Sequence, residues 1–316
     1  MSHRYDRTIG SWGNRDNGFS HPVDVAVDDT GLLHVVNRST SWDAPHGRAV
    51  RVSVVDPHGD VLREIGERGE QVGTLMMPTA VAVAADAVIV ADEHTHRVTV
   101  FDQDGQVRSH WGGHGTAAGH LDRPSGLACL DDTVAVVDHL NHRVQRFGID
   151  GTFQGSFGSA GSGPGEFRLP WGAAVGPDGL LWIADWGNDR LQAFDDDGVC
   201  RTVIGGPGSA LLRRPSGLTV TTDGLLVVCD WGNDRMVVLR PDPAEVVDVW
   251  RGAATLSPWA RQQLEDLPVV QRLREHSRTA TVERWFRRPT GAASVGDQVY
   301  VADTGRHRLQ VYAAVR

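Results

Sequence analysis

Six short segments of the sequence place one chemically capable side chain directly after an apolar run. In five of them the run ends in Asp, and the next residue differs from segment to segment. The residues at this position are Arg38, Glu93, His139, Trp186, Trp231 and Thr304. Carboxylates and imidazoles transfer protons, indoles stack on flat or cationic ligands, and guanidinium groups hold carboxylate or phosphate. The set predicts an acid–base pair, Glu93 and His139, beside a ligand-binding surface formed by Arg38, Trp186 and Trp231.

Four further side chains complete the candidate ligand site. Trp171 follows a proline at the start of an apolar strand, and His94 lies in the second of the six segments. Trp42 and Arg48 belong to an unusually long loop after the first apolar run, and long loops on rigid scaffolds often carry function. The alternative is that these are surface side chains with no joint role. A metal held by His94 and His139 is a further alternative; no metal ligand is assigned, and the sequence requires no cofactor and leaves its identity open.

All 31 basic residues of the chain are arginine. The lack of lysine excludes a lysine Schiff base and the phosphate-binding lysine of a P-loop. The net charge of −9 is a poor match for sequence-independent binding to nucleic acid. The three cysteines are widely spaced, no apolar run is long enough to cross a membrane, and no apolar leader begins the chain. We therefore expect a cytoplasmic protein whose partner is neither nucleic acid nor membrane.

The candidate side chains recur because the sequence repeats. Six copies of a unit of about 45 residues begin at Pro22, Pro78, Pro124, Pro170, Pro215 and Pro289. Each of the first five copies contains four short alternating apolar runs separated by turn residues, a pattern typical of a β-propeller blade. The last copy has only three runs, and residues 4–12 supply the fourth, which removes two open strand edges. The sequence therefore predicts an all-β fold, a six-bladed β-propeller with four-stranded blades that forms a single domain over residues 1–316.

The loop between the second and third runs of each copy resembles the NHL repeat. It reads Asn141-His142-Arg143-Val144 in the third copy, with variants around His96, Asp189, Asp234 and His307. The resemblance covers nearly the whole chain and implies the propeller fold. It leaves function open, since NHL proteins include RNA-binding, protein-binding and sensor domains as well as a peptide-amidating lyase.

The resemblance to that lyase does not imply a zinc site. Its zinc-binding histidines lie at the start of the inner strands, where this sequence has Val23, Thr79, Ser125, Trp171, Ser216 and Thr290. The histidines at 96, 142 and 307 match the repeat motif and are interpreted as structural. The Asp and Arg that recur five residues apart, such as Asp185 and Arg190, are interpreted in the same way.

A long spacing before the last repeat predicts a helical insertion over residues 253–282. Ser257 is a suitable N-cap with Pro258 at the first helical position, and Pro268 suggests a second helix. Residues 251–288 contain eight arginines against four acidic residues. Two interpretations fit: a basic insert docked on an acidic ring, or a lid over a ligand entrance.

These observations favour a propeller that binds a small aromatic or anionic molecule at the top centre of the ring. The blade-specific polar residues and the paired indoles suggest an enzyme of lyase, hydrolase or cyclase type. The alternative is a non-catalytic interaction module that presents the same face to a protein partner, because Trp and Arg are favoured interface anchors.

Overall fold

The computed structural model describes residues 2–13, 18–38, 49–84, 86–265 and 282–315. Within these ranges the chain forms six four-stranded antiparallel sheets in a ring, as the repeats predict. From the inner strand outward, blade 1 consists of β2 (Pro22–Val27), β3 (Leu33–Asn37), β4 (Arg51–Val55) and β5 (Val61–Ile65). Blade 2 consists of β6 (Pro78–Ala84), β7 (Ala87–Asp92), β8 (Arg97–Asp102) and β9 (Val107–Gly112). Blade 3 consists of β10 (Pro124–Leu130), β11 (Thr133–Asp138), β12 (Arg143–Gly148) and β13 (Phe153–Phe157).

The other three blades repeat this order, and the chain's first strand completes the last of them. A short parallel pair, β14 (Ser159–Ala160) and β15 (Glu166–Phe167), leads from blade 3 to blade 4. Blade 4 consists of β16 (Ala173–Val175), β17 (Leu181–Asp185), β18 (Arg190–Phe194) and β19 (Cys200–Gly205). Blade 5 consists of β20 (Pro215–Val220), β21 (Leu226–Asp230), β22 (Arg235–Arg240) and β23 (Glu245–Trp250). Blade 6 consists of β24 (Pro289–Val295), β25 (Gln298–Asp303), β26 (Arg308–Ala314) and β1 (His3–Ile9).

The ring closes through β1, as the sequence predicts. This strand pairs antiparallel with β26, in a register that runs from His3 opposite Ala314 to Ile9 opposite Leu309. The inner strand β2 also contacts β24 on one side and β6 on the other. Blade 6 is thus built from both ends of the described chain, and β26 has no open edge.

Apolar side chains fill the space between neighbouring blades. Six buried clusters lie one at each blade interface, and Val36, Val88 and Phe101 are examples from the interface of blades 1 and 2. In the middle strands both faces are buried, so β3, β4, β17 and β21 consist entirely of buried residues. The core is therefore a series of sheet-on-sheet contacts around the ring.

A buried ion pair supports the loop between the second and third strands. In blade 4 Arg190 Nε donates to Asp185 Oδ2 at 2.7 Å, and the other guanidinium nitrogens donate to loop carbonyls, including that of Glu166. Asp185 Oδ1 also accepts the backbone N–H of Arg168 at 2.7 Å. The same Asp–Arg pairing occurs in blades 3, 5 and 6. The repeated pair therefore belongs to the loop framework, in agreement with its structural interpretation.

The histidines of the repeat motif link one blade to the next. His142 adopts a left-handed conformation with a φ of 53°, and its Nδ1 accepts the backbone N–H of Leu169 at 3.1 Å. His96 and His307 make the equivalent bonds, at 3.1 and 3.0 Å. In blades 4 and 5 a carboxylate, of Asp189 or Asp234, accepts the same bond.

The described part of the insertion lies over blade 6. Its helix α1 (Pro258–Glu265) begins after Ser257, whose Oγ accepts the backbone N–H of Ala260 at 3.1 Å, so the predicted N-cap is present. Trp259 packs edge-on against Phe19, with 6.3 Å between the ring centroids. The helix expected from Pro268 falls outside the described residues. No helix in the described ranges has the length and apolar character needed to cross a membrane.

Candidate functional site

Bulges at the start of the inner strands turn short side chains toward the propeller axis. In blade 2 the register of β6 shifts between Pro78 and Ala80, and four other inner strands shift at the same place. A bulge re-aims the residues it contains. Four of the side chains at this position have a hydroxyl that donates to a main-chain carbonyl of the next blade, at 2.6–3.0 Å. They are Thr79, Ser125, Ser216 and Thr290. A narrow axial channel, with a cavity of about 70 Å³, lies along these strands.

Asp24 is the charged residue among those that line the channel in the described part of the chain. Its Oδ2 accepts the backbone N–H of Val81 at 3.0 Å, and burial raises the pKa of its carboxyl to about 7. The equivalent residue in four blades is glycine, and a Cβ at Gly172 would lie 2.3 Å from the carbonyl oxygen of Ser216. Neighbouring inner strands therefore approach closely, including at Asp24, whose Cα would lie 2.7 Å from a Cβ at Gly291.

Two of the predicted site residues form an ion pair between neighbouring blades at the mouth of this channel. We call the side of the ring that carries the loops between second and third strands the top face. There the guanidinium of Arg38 in blade 1 donates to Glu93 Oε1 in blade 2, and both side chains are mostly buried. The pair therefore links blade 1 to blade 2 on the top face.

His139 lies next along the ring, in blade 3. Its Nδ1 lies 2.8 Å from the carbonyl oxygen of Pro170, which can only accept, so this nitrogen carries the proton. No described residue bonds its Nε2, which is therefore the basic nitrogen. Burial holds the pKa of His139 below its usual value of 6.5, against the opposing attraction of the Glu93 carboxylate. The structure thus places a neutral imidazole with a fixed tautomer beside an ion-paired carboxylate.

Aromatic and cationic side chains contact one another on the top face of blades 4 and 5. The rings of Trp186 and Trp231, in blades 4 and 5, are tilted with centroids 6.1 Å apart. Arg214 lies over Trp186 at 4.7 Å and Arg288 over Trp231 at 5.5 Å. Stacking of a guanidinium on an indole fixes its position while leaving its N–H groups available at the edge.

The other candidate residues divide into three groups. Trp171 is part of the mouth, since its ring packs edge-on against His139 with centroids 5.1 Å apart. His94 points away from that group: it is exposed, and its Nε2 lies 3.3 Å from Glu70 Oε1. Trp42 and Arg48 lie outside the described residues. The structure therefore forms two groups on the top face: one contains Arg38, Glu93, His139 and Trp171, and the other contains Trp186 and Trp231.

Comparison with known proteins identifies the repeat. A family model described as NHL repeat matches residues 75–101, 167–194, 212–239 and 286–312, which correspond to blades 2, 4, 5 and 6. The chain is a six-bladed β-propeller that contains NHL repeats. Blades 1 and 3 lie outside the matched residues but have the same four strands. A search of curated proteins finds no sequence relative.

Solved structures with the same fold are distant in sequence. A catalytically inactive virginiamycin B lyase from Staphylococcus aureus, bound with quinupristin, is 12% identical with a TM-score of 0.59, covering 99% of this chain and 100% of that one. A protein of unknown function from Bacteroides thetaiotaomicron is 16% identical with a TM-score of 0.64, covering 99% and 76%. A chain of a nidogen/laminin complex is 16% identical with a TM-score of 0.58, covering 72% and 79%. At these identities the similarity shows the fold alone.

Sequence reasoning missed two groups of residues in this NHL propeller. The first group consists of Arg214 and Arg288, which directly precede repeat prolines. Each stacks on an indole of the preceding blade, and a comparison of equivalent positions among the repeats does not reveal this contact between blades. The second group, His96, His114 and Asp122, could hold a metal ion at the edge of the top face. The sequence signal for this group is that His114 and Asp122 occupy positions where the other blades have residues of other types.

Proposed function

We propose that this NHL propeller binds a small anionic aromatic molecule at the channel mouth and acts on it as a lyase-type enzyme. The observation that carries the proposal is His139, whose fixed tautomer leaves Nε2 free to take a proton from a bound ligand. Glu93 would stabilise the imidazolium that forms, since its carboxylate already favours the charged ring. The fold is shared with a virginiamycin B lyase whose inactive form carries a histidine-to-alanine substitution.

The mouth also provides groups for recognition. Trp186 and Trp231 offer indole faces, and Arg214 and Arg288 are exposed on the same face with guanidinium groups that can bind a carboxylate or phosphate. Among the described residues neither arginine forms an ion pair, so an anionic ligand would not have to displace a carboxylate. We extend the proposal to a cytoplasmic location, since three free cysteines fit a reducing compartment.

A turnover screen tests the catalytic part. The purified protein is incubated with aromatic carboxylates, aromatic phosphate esters and quinupristin, and consumption is followed by mass spectrometry. We expect His139→Gln to lower kcat at least about 100-fold, the usual contribution of a general base, while Trp285→Leu at the rim retains activity. The wild-type rate should fall in acidic solution with a midpoint below pH 6.5, because burial lowers the pKa of His139 from its usual value of 6.5.

Two results would contradict this part of the proposal. One is that no compound is consumed faster than with heat-denatured protein. The other is that His139→Gln, with an unchanged melting temperature, turns over a substrate at the wild-type rate.

A protein-interaction module is the second candidate function. Trp12 and Trp285 are 65% and 52% exposed at the rim of the top face, and exposed indoles are favoured interface anchors. A propeller of a nidogen/laminin complex shares the fold. A stable complex with a protein that is lost in a Trp12→Ala, Trp285→Ala double variant, without any turnover by the wild type, would favour this function over the enzyme.

A further inference from the structure

Three metal-ligand side chains converge at the edge of the top face, where blade 2 meets blade 3. His96 Nδ1 lies 3.3 Å from Asp122 Oδ1, and His114 Nε2 lies 3.7 Å from Asp122 Oδ2. The two imidazole rings are 4.4 Å apart, and one ligand atom from each of the three residues lies within 4.8 Å of the others. Around tetrahedral zinc, with bonds of about 2.0–2.1 Å, neighbouring ligand atoms are about 3.3 Å apart. The group is therefore close to a zinc-binding geometry.

The repeat does not explain why these three residues meet. His114 occupies the position of Trp12, Arg68 and Ala160 in other blades, as the equivalent bridges between residues show. The positions equivalent to Asp122, two residues before the repeat proline, hold Ser20, Met76, Arg168, Arg213 and Arg287. Only His96 belongs to the repeat motif. Two blade-specific ligands have thus been added beside a histidine that the fold already positions.

The backbone holds all three residues in place. Asp122 donates its N–H to Asp138 Oδ1 at 2.6 Å, and its carbonyl accepts the N–H of Leu140 at 3.1 Å. His114 forms an isolated bridge with Leu121, and His96 sits in the left-handed turn that ends its loop. Preorganised ligands lose little freedom when a metal binds.

The chemistry of the ligands favours zinc over calcium or magnesium. Two imidazoles and one carboxylate suit zinc and related transition metals, whereas calcium and magnesium prefer oxygen ligands. Metal binding requires neutral histidine, and burial together with His114 holds the pKa of His96 below its usual value of 6.5. A metal bound at His96 Nδ1 would displace the hydrogen bond that the backbone N–H of Arg123 donates to this nitrogen. Because Arg123 is exposed, water can then accept a hydrogen bond from that N–H.

We propose that His96, His114 and Asp122 bind one Zn²⁺ ion, with water at the fourth position, and that the ion ties blade 2 to blade 3. The ligands come from two loops, the one between β7 and β8 and the one between β9 and β10. A bound ion therefore adds a cross-link between blades and should stabilise the folded state. The charges around it are mixed, because the Asp122 carboxylate attracts the ion while the Arg123 guanidinium repels it.

Titration of the metal-free protein, residues 1–316, with ZnCl₂ at pH 7.5 tests the site. We expect one ion per chain by calorimetry, a higher melting temperature with zinc, and visible absorption of four-coordinate Co²⁺ when cobalt is the probe. His114→Ala is the main variant, since that side chain is 69% exposed and its loss should leave the metal-free fold intact. We expect this variant and Asp122→Asn to weaken zinc binding at least about tenfold.

His110→Ala is the matched control, because His110 is an exposed histidine on β9 outside the group. It should bind zinc like the wild type. The proposal is overturned if the wild type binds no stoichiometric zinc, or if His114→Ala and His110→Ala bind it equally. The readouts are binding and thermal stability, so the result does not depend on whether the channel mouth is catalytic.

Discussion

At the scale of single residues, departures from the repeat carry more functional information than the repeat itself. The recurring Asp–Arg pair makes the same ion pair in blades 3 to 6, so its role is structural. Arg38, Glu93 and His139 differ between blades, and the structure brings them together. Their identity could be read from the sequence, but the tautomer of His139 could not, since it depends on the carbonyl of Pro170 from another blade.

A pH-dependent contribution to stability follows from His307. Its Nδ1 must stay unprotonated to accept the N–H of His21, and burial, aided by the nearby His21 and Arg287, lowers its pKa to about 4. In the unfolded chain this pKa is about 6.5. The unfolded state therefore binds more protons, and this contribution to the free energy of unfolding is present above pH 6.5 and is lost as the pH falls toward 4.

Replacement of His307 by asparagine should reduce this acid sensitivity. Asparagine tolerates the left-handed conformation and has an oxygen that can accept the same bond. We expect the fall in melting temperature between pH 7 and pH 4.5 to be smaller in His307→Asn than in the wild type. His110→Asn, at an exposed position, should show the wild-type fall. Equal falls in all three proteins would contradict the assigned role of His307.

At the scale of elements, the inner strands determine how tightly the ring closes. Glycine occupies four of the six equivalent positions, and its lack of a side chain lets one inner strand approach the carbonyl groups of the next. A Cβ added at three of these glycines would lie only 2.2–2.3 Å from a backbone carbonyl oxygen: Gly126, Gly172 and Gly217. Periodicity predicted the strands, because alternation and turn residues are local signals. It did not predict this close approach, because the contact joins strands from separate repeats.

A methyl group at one of these glycines should therefore be destabilising. Gly172→Ala would bring Cβ within 2.3 Å of Ser216 O, a backbone atom that cannot move alone. Overpacking of this kind costs about 1–3 kcal/mol, measurable as a lower free energy of unfolding in urea. Gly163→Ala is the control, since its Cβ would meet only the flexible Glu166 side chain at 3.2 Å. If both variants are equally stable, the inner strands are not as closely packed as described.

At the scale of the whole molecule, exposed arginines recur around one face. Exposed arginines precede the repeat prolines around the top face: Arg123, Arg168, Arg213, Arg214, Arg287 and Arg288. The turns on the opposite face carry aspartates whose carboxylates accept backbone N–H groups of their own turns, as Asp56 and Asp195 do. A chain with a net charge of −9 thus presents cationic groups beside the channel mouth. The net charge does not predict this clustering of arginines, because it contains no information about the face on which each turn lies.

The central claim, a site for anionic aromatic ligands at the channel mouth, is tested most directly by calorimetric titration with 1-naphthyl phosphate. The wild type should bind one molecule per chain, and Arg214→Gln should raise the Kd at least about tenfold, since a hydrogen bond to a charged group is lost. Arg201→Gln should bind like the wild type, because Arg201 lies on the outer strand β19 and pairs with Asp195. No binding by the wild type, or equal Kd values for the two arginine variants, would contradict the account.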